Sequence, residues 1–178
     1  MSEYAPEGCR ITTIENYDKR IPIARENFRR AGREEQITLI EGDAAEVMKT
    51  LEGPYDFIFM DAAKGQYIHY LPEALRLLPE GGVLVSDNVM QDGDVIESRF
   101  AVERRNRTIH ARMREYLYEL KHNDALVTSI IPLGDGVAMS VKRASGPTDS
   151  VAADMNPAEC GAAEEIKRQE GTENGKTS

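Results

Sequence analysis

Five oxygen-bearing side chains stand where apolar runs end. Glu15 follows residues 11–14, Asp43 follows 37–40, Asp61 follows 57–60, and Asp87-Asn88 follow 83–85. Ligands of open α/β sheets bind outside the carboxyl ends of the parallel strands, so these side chains share one rim. A single acid after a strand reads as a helix N-cap. Four carboxylates and an amide together, with Asp87-Asn88 followed by loop rather than helix, read as a site. Asp61, Asp87 and Asn88 are hard oxygen donors, a set that suits Mg²⁺ or Mn²⁺. No Cys or His neighbours them, which disfavours zinc. Lys64 lies three residues after Asp61. It is either a solvated loop lysine or, beside a metal and a cationic cofactor, a general base with a lowered pKa. Glu15 is placed to accept hydrogen bonds from two vicinal ribose hydroxyls. The dinucleotide fingerprint sets such an acid about 20 residues beyond the first glycine of a Gly-rich loop. Here 14 residues precede it, without a G-x-G. His69, His110 and His122 stand singly and read as surface or core residues.

A second feature is cationic. Between Arg99 and Lys121 there are seven basic residues against three acidic ones, in a chain of net charge −9. Two readings apply: a solvated helix face with i,i+4 pairs, or phosphate contacts to a polyanionic substrate, with Arg104, Arg105 and Arg107 foremost.

The elements that must position these residues alternate strand and helix. Strands are expected at 11–14, 37–40, 56–60 and 83–85. Helices are expected from near Asp18 to Ala31, with Gly32 at the C-cap, through 47–51, and over 67–78. Residues 89–102 read as loop. A long helix follows, with Ile109, Met113, Tyr116 and Leu120 on one face. Residues 126–131 and 137–141 flank Gly134-Asp135-Gly136 as an antiparallel pair. Repeated strand–helix units imply a parallel sheet with helices on both faces. Strands that are apolar throughout, such as 57–60, fit a sheet buried on both sides.

The 178 residues suit one domain with an extension. No apolar run approaches 18 residues, so no membrane span or membrane partner is expected. Residues 1–6 lack a basic and then apolar leader pattern. Cys9 and Cys160 stand far apart, which fits a reducing cytoplasm better than a disulfide framework. From about Ala144 the texture changes to Gly, Pro, Ser, Thr, Ala and Glu, with seven acids against three bases. Residues 144–178 therefore read as an acidic disordered tail after a folded region over 1–143.

Three segments carry a resemblance: Tyr55-Asp56-Phe57-Ile58-Phe59-Met60-Asp61-Ala62-Ala63-Lys64, Gly82-Val83-Leu84-Val85-Ser86-Asp87-Asn88-Val89, and Pro132-Leu133-Gly134-Asp135-Gly136. From about residue 8 to 142 the chain resembles the metal-dependent O-methyltransferases that include catechol and caffeoyl-CoA O-methyltransferases. The resemblance implies S-adenosylmethionine as methyl donor and Mg²⁺ or Mn²⁺ held by Asp61, Asp87 and Asn88. It makes Lys64 the catalytic base, with Asp61 bordering both cofactor and reacting atoms. Glu15 would bind the cofactor ribose, and Asp43-Ala44 would border the adenine. Residues 62–67 and the arginine-rich stretch 104–110 look like the bacterial tRNA 5-hydroxyuridine methyltransferases. That likeness implies a wobble-position tRNA substrate made into 5-methoxyuridine, its phosphates on Arg104, Arg105 and Arg107. A small catechol-type acceptor is the alternative.

The implied fold is a Rossmann-like methyltransferase α/β sheet, mostly parallel, with an antiparallel C-terminal strand pair. The family's first strand, its glycine-rich loop and the N-terminal helices, which help form a homodimer, would precede Met1. That strand would lie between those at Ile11 and Phe57, so these two are expected to face a gap with unpaired backbone groups. Weak or absent cofactor binding is expected of the chain as it stands, and a non-catalytic binding module is the reading from a different class.

Overall fold

Strand pairing sets the geometry in the computed structural model, which describes residues 1–144. The segment read as an acidic tail lies outside the described residues, apart from Ala144. The elements run β1 (Ile11–Glu15), α1 (Ile21–Arg30), β2 (Ile37–Glu41), α2 (Ala44–Thr50), β3 (Phe57–Met60), α3 (Tyr67–Leu77), β4 (Val83–Ser86), α4 (Arg107–His122), β5 (Leu126–Ile131) and β6 (Val137–Lys142). Short 3-10 turns occupy Lys64–Gln66 and Gln91–Ile96. The fold is α/β and Rossmann-like, with β1 parallel to β2, β3 parallel to β4, and β6 antiparallel to both β4 and β5.

These strands form two sheets, one of β1 and β2 and one in the order β3-β4-β6-β5. Among the described residues no strand pairs with the free edge of β1 that faces away from β2, or with that of β3. The pairing break thus falls between the strands at Ile11 and Phe57, where the sequence expected it. A long contact bridges the two sheets: the Tyr55 hydroxyl lies 3.4 Å from Thr12 Oγ1.

Register brings the site residues together. Met60 pairs with Ser86, and the Asp87 N–H donates to the Met60 carbonyl at 3.1 Å. Asp61 and Asp87 therefore leave adjacent parallel strands at the same height.

The core lies on one face of the larger sheet. Leu84, Ala138 and Ser140 point from it onto Tyr67, Ala74, Met113, Tyr116 and Leu120 of α3 and α4, all fully buried. Each large apolar side chain there contributes about 1.5–3 kcal/mol by leaving water. The buried hydroxyls are paired: Thr128 Oγ1 lies 2.8 Å from Ser140 Oγ and donates to the Leu120 carbonyl at 2.7 Å, and Ser86 Oγ bonds the Tyr116 hydroxyl.

Three expectations need correction. Residues 57–60 were expected to be buried on both sides, yet Phe57 and Phe59 are 47% and 46% exposed. Helices on both faces were likewise expected. Among the described residues α3 and α4 cover one face only, and α1, which has no buried residue, packs beside β2. Helix α1 also begins at Ile21 rather than near Asp18, since Pro22, lacking an N–H, occupies the first turn. Residues 18–20 form a turn before it. Gly32, at φ +63°, takes the left-handed position beyond the helix end. Among the described residues no helix is long and apolar enough to cross a membrane.

Candidate active site

The tips of β3 and β4 meet at one nitrogen. Lys64 Nζ lies 3.2 Å from Asp61 Oδ1, 2.9 Å from Asn88 Oδ1, 3.2 Å from the Asp87 carbonyl oxygen and 2.9 Å from the Tyr67 hydroxyl. Four oxygens from two strand tips and one helix start thus converge on one cationic group. The bland reading of Lys64 as a solvated loop lysine does not hold, for its side chain is 22% exposed.

Local structure aims each group. Asn88 sits at φ +52°, a left-handed conformation that Asn tolerates, and this turns its amide back towards the strand tips. Asp87 Oδ1 accepts from the Asn88 N–H at 2.8 Å, which fixes its carboxylate beside that turn. The Asp61 side chain remains 55% exposed and open to a ligand. The Lys64–Gln66 turn is held from behind, where Arg112 donates to the Gly65 carbonyl at 3.2 Å.

The electrostatics of Lys64 are opposed. Burial lowers its pKa, but hydrogen bonding and charge interaction with Tyr67 and Asp61 outweigh this and raise it above the ordinary lysine value. Lys64 is therefore an ammonium in this ligand-free arrangement. The Tyr67 phenol is raised, mainly by burial.

In donor chemistry the oxygens around Lys64 suit a divalent ion, although Lys64 Nζ itself lies between Asp61 Oδ1 and Asn88 Oδ1. Asp61 Oδ1 and Asn88 Oδ1 already approach a common cation, and Asp87 stands beside Asn88 with hard oxygens throughout. Only two carboxylates belong to the set, and among the described residues no group of three or more His, Cys, Asp or Glu is disposed to hold a metal.

The remaining candidates stand apart from this cluster. Glu15 ends β1, and its Oε1 accepts from its own turn, from the N–H of Asn16 at 3.1 Å and of Tyr17 at 2.9 Å. Its Oε2 lies 3.7 Å from Arg20. Asp43 is the N-cap of α2, accepting from the Ala45 N–H at 2.9 Å, as the bland reading of such an acid has it. Ala44 opens that helix and packs against the core.

The cationic segment divides in two. Arg107 donates to the carbonyls of Val102 and Phe100, and Arg114 to that of Val95, while His110 Nε2 lies 3.2 Å from the Glu97 carbonyl. These side chains tie the loop after β4 to α4 through its carbonyls; His110 is buried, Arg107 half-buried and Arg114 exposed. Arg105 pairs with Glu103 at 2.7 Å and is 80% exposed; Arg104 is exposed beside it.

Sequence reasoning missed Tyr67 and Arg112 as parts of the site. Tyr67 entered as the first position of the helix expected over 67–78 and as the end of the 62–67 stretch, with no role of its own. The available signal was its hydroxyl, since a fully buried Tyr needs a polar partner.

Residues 1–143 match the family described as O-methyltransferase. The chain is 37% identical over 101 residues to the catechol O-methyltransferase of Niastella koreensis, covering 54% of this chain and 46% of that protein. It is 31% identical to caffeoyl-CoA O-methyltransferase 2 of Populus trichocarpa, over 75% of this chain and 57% of the relative. The O-methyltransferase from Bacillus cereus, solved in complex with SAH, superposes with a TM-score of 0.69 at 26% identity, covering 77% of this chain and 64% of that one. The chain thus spans about half the length of the curated relatives it matches.

Proposed function

Because the chain belongs to the O-methyltransferase family, we propose that its cluster at the β3 and β4 tips serves the transfer of a methyl group from S-adenosylmethionine to a hydroxyl oxygen that has a second oxygen on the neighbouring carbon. The observation that carries this reading is the convergence of Asp61, Asn88, the Asp87 carbonyl and the Tyr67 hydroxyl on Lys64 Nζ.

Asp61, Asp87 and Asn88 would hold Mg²⁺ or Mn²⁺, which when bound makes an adjacent hydroxyl more acidic. Lys64 takes the hydroxyl proton at Nζ. Its surroundings hold it protonated in the ligand-free protein, so the role of base requires further positive charge near Asp61 to tip the balance towards the amine. A sulfonium and a divalent ion are both charges of that sign. S-adenosylmethionine, when bound, would supply an electrophilic methyl group with its sulfur as the leaving group, and Asp61, Lys64 and Asn88 would hold the deprotonated oxygen towards it. Glu15 would accept from the ribose hydroxyls with Oε2, beside the exposed Arg20 that lies 3.7 Å from it, and Asp43-Ala44 would border the base. Much of the acceleration would come from positioning, since holding two reactants in line replaces a bimolecular encounter.

Two acceptor classes share this chemistry. A free catechol-type phenol is supported by the inward use of Arg107, which leaves fewer guanidinium groups for phosphates. A 5-hydroxyuridine in the tRNA wobble position is supported by the exposed Arg104 and Arg105 on a chain of net charge −9.

The test is methyl transfer measured by mass spectrometry with Mg²⁺, the donor in large excess, and catechol or hydroxylated tRNA as acceptor. Transfer to one acceptor that falls about 10²–10⁴-fold in Lys64→Ala is expected. Loss of only the tRNA reaction in the Arg104→Ala, Arg105→Ala double variant assigns the nucleic-acid substrate. Transfer to neither acceptor would overturn the reading.

A further inference from the structure

The Tyr67 hydroxyl is a joint between the two strand tips. It lies 2.9 Å from the Met60 carbonyl, 3.2 Å from the Asp87 carbonyl and 2.9 Å from Lys64 Nζ. Carbonyl oxygens only accept, so the single phenolic proton goes to one of them. The phenolic oxygen is then left to accept from Lys64. The residue is fully buried, and its ring meets that of Tyr116 edge-on at 5.4 Å. The Tyr116 hydroxyl is in turn held by Ser86 of β4. The ring cannot swing, and the hydroxyl is fixed where β3 and β4 end.

We propose that Tyr67 is a positioning residue, whose hydroxyl places the Lys64 amine between Asp61 and Asn88 and locks the tips that carry those two residues. The inference rests on the reading of Lys64 as the proton acceptor. Its physical content, a lysine immobilised by a buried phenol, is separable from that reading. Without the hydroxyl, Lys64 keeps its chain length and its acidic neighbours but loses the acceptor that faces it from the protein interior. A flexible four-carbon stem then samples solvent, and the base is out of line for part of the time.

Tyr67→Phe removes only the oxygen and keeps the ring against Tyr116, and Tyr70→Phe, at another buried tyrosine of α3, is the matched control that leaves Lys64 untouched. The first readout is the side-chain ammonium signal of Lys64 in proton–nitrogen spectra of isotope-labelled protein. Slow exchange with solvent, set apart from the exposed lysines, is expected in the parent and in Tyr70→Phe, and its loss in Tyr67→Phe. The second readout is methyl transfer, where kcat should fall roughly 10- to 100-fold in Tyr67→Phe with KM for the acceptor little changed. A Lys64 ammonium that exchanges as fast as a surface lysine in the parent protein would overturn the proposal, whether or not the variant folds. So would an unchanged Lys64 signal with unchanged kcat in Tyr67→Phe. If the parent transfers no methyl group, the functional reading fails and the ammonium spectrum alone decides this one.

Discussion

Asn88 carries two demands in one side chain. Its backbone takes φ +52° and its Oδ1 lies 2.9 Å from Lys64 Nζ. Substitution can separate them. Asn88→Gly relieves any cost of the left-handed backbone and removes the oxygen, whereas Asn88→Ala removes the oxygen and adds about 1–2 kcal/mol of conformational penalty. Thermal unfolding should therefore rank Asn88→Gly close to the parent and Asn88→Ala below it. Calorimetric titration with Mn²⁺ should show both variants weakened alike, by roughly tenfold or more, about 1.4 kcal/mol. Parent-like cation affinity in either variant would remove Asn88 from the ligand set. Asp61, Lys64 and the Asp87-Asn88 pair were legible in the sequence because strand ends are legible, and two parallel strands in register put their next residues side by side. Tyr67 was not, since its helical spacing marks it as core and its role depends on carbonyls of two strands that only the tertiary structure brings to it.

Whole elements act on the site through loops. The turn between β5 and β6 grips the segment after β4: the N–H of Val89 donates to the Gly136 carbonyl at 3.0 Å and that of Met90 to the Asp135 carbonyl at 2.9 Å. A Cβ on Gly136, which sits at φ +78°, would strike the Met90 side chain. Gly136→Ala should cost about 1–3 kcal/mol in urea unfolding and should weaken cation binding at Asn88, two residues before Met90. An unperturbed variant would mean that this turn does not brace the site. Helix α4 braces the same loop from the other side through Arg107, His110 and Arg114. Arg107→Ala and Arg114→Ala should speed proteolytic cleavage between residues 91 and 106, while Arg104→Ala and Arg105→Ala should leave it unchanged, being exposed substitutions within about 0.5 kcal/mol of neutral. Equal cleavage in all four variants would return the arginines to a solvated surface. The type of these elements followed from periodicity, while bounds moved: α1 starts at Ile21, α2 ends at Thr50, β3 starts at Phe57, and a 3-10 turn at Gln91–Ile96 lies within the segment read as loop. The bonds of these arginines to loop carbonyls were not legible: charge pattern places a residue on a helix face, and which carbonyls lie over that face depends on the path of the loop.

At the scale of the molecule, two consequences follow from where the core lies. Tyr67, Tyr70 and Tyr116 all have pKa values raised above that of an ordinary phenol, in each case chiefly by burial. Between the ordinary value and the raised one the folded state holds more protons than the unfolded state, so stability falls with rising pH. Their contribution is complete below about pH 10 and is lost above it. Urea midpoints should hold steady through neutral pH and drop beyond that point, and a midpoint that rose there would contradict the burial of these phenols. The second consequence concerns the opposite face of the larger sheet. Phe57, Phe59, Val127, Met139 and Val141 share that face by register, and Phe59 and Val127 are 46% and 53% exposed. Among the described residues no helix covers it, and exposed apolar side chains that share one face favour association. Phe59→Thr and Val127→Thr keep β-forming side chains and remove little buried area, so each should cost under about 1 kcal/mol and should lower the binding of an apolar fluorescent dye. Leu84→Ala, on the covered face of the same sheet, should cost about 2–5 kcal/mol, because the cavity it leaves is enclosed by α3 and α4. The contrast depends on one strand position deciding which side of a sheet a residue meets. If Phe59→Thr proves as costly as Leu84→Ala, both faces are packed, and the one-sided core described for β3 to β6 is wrong.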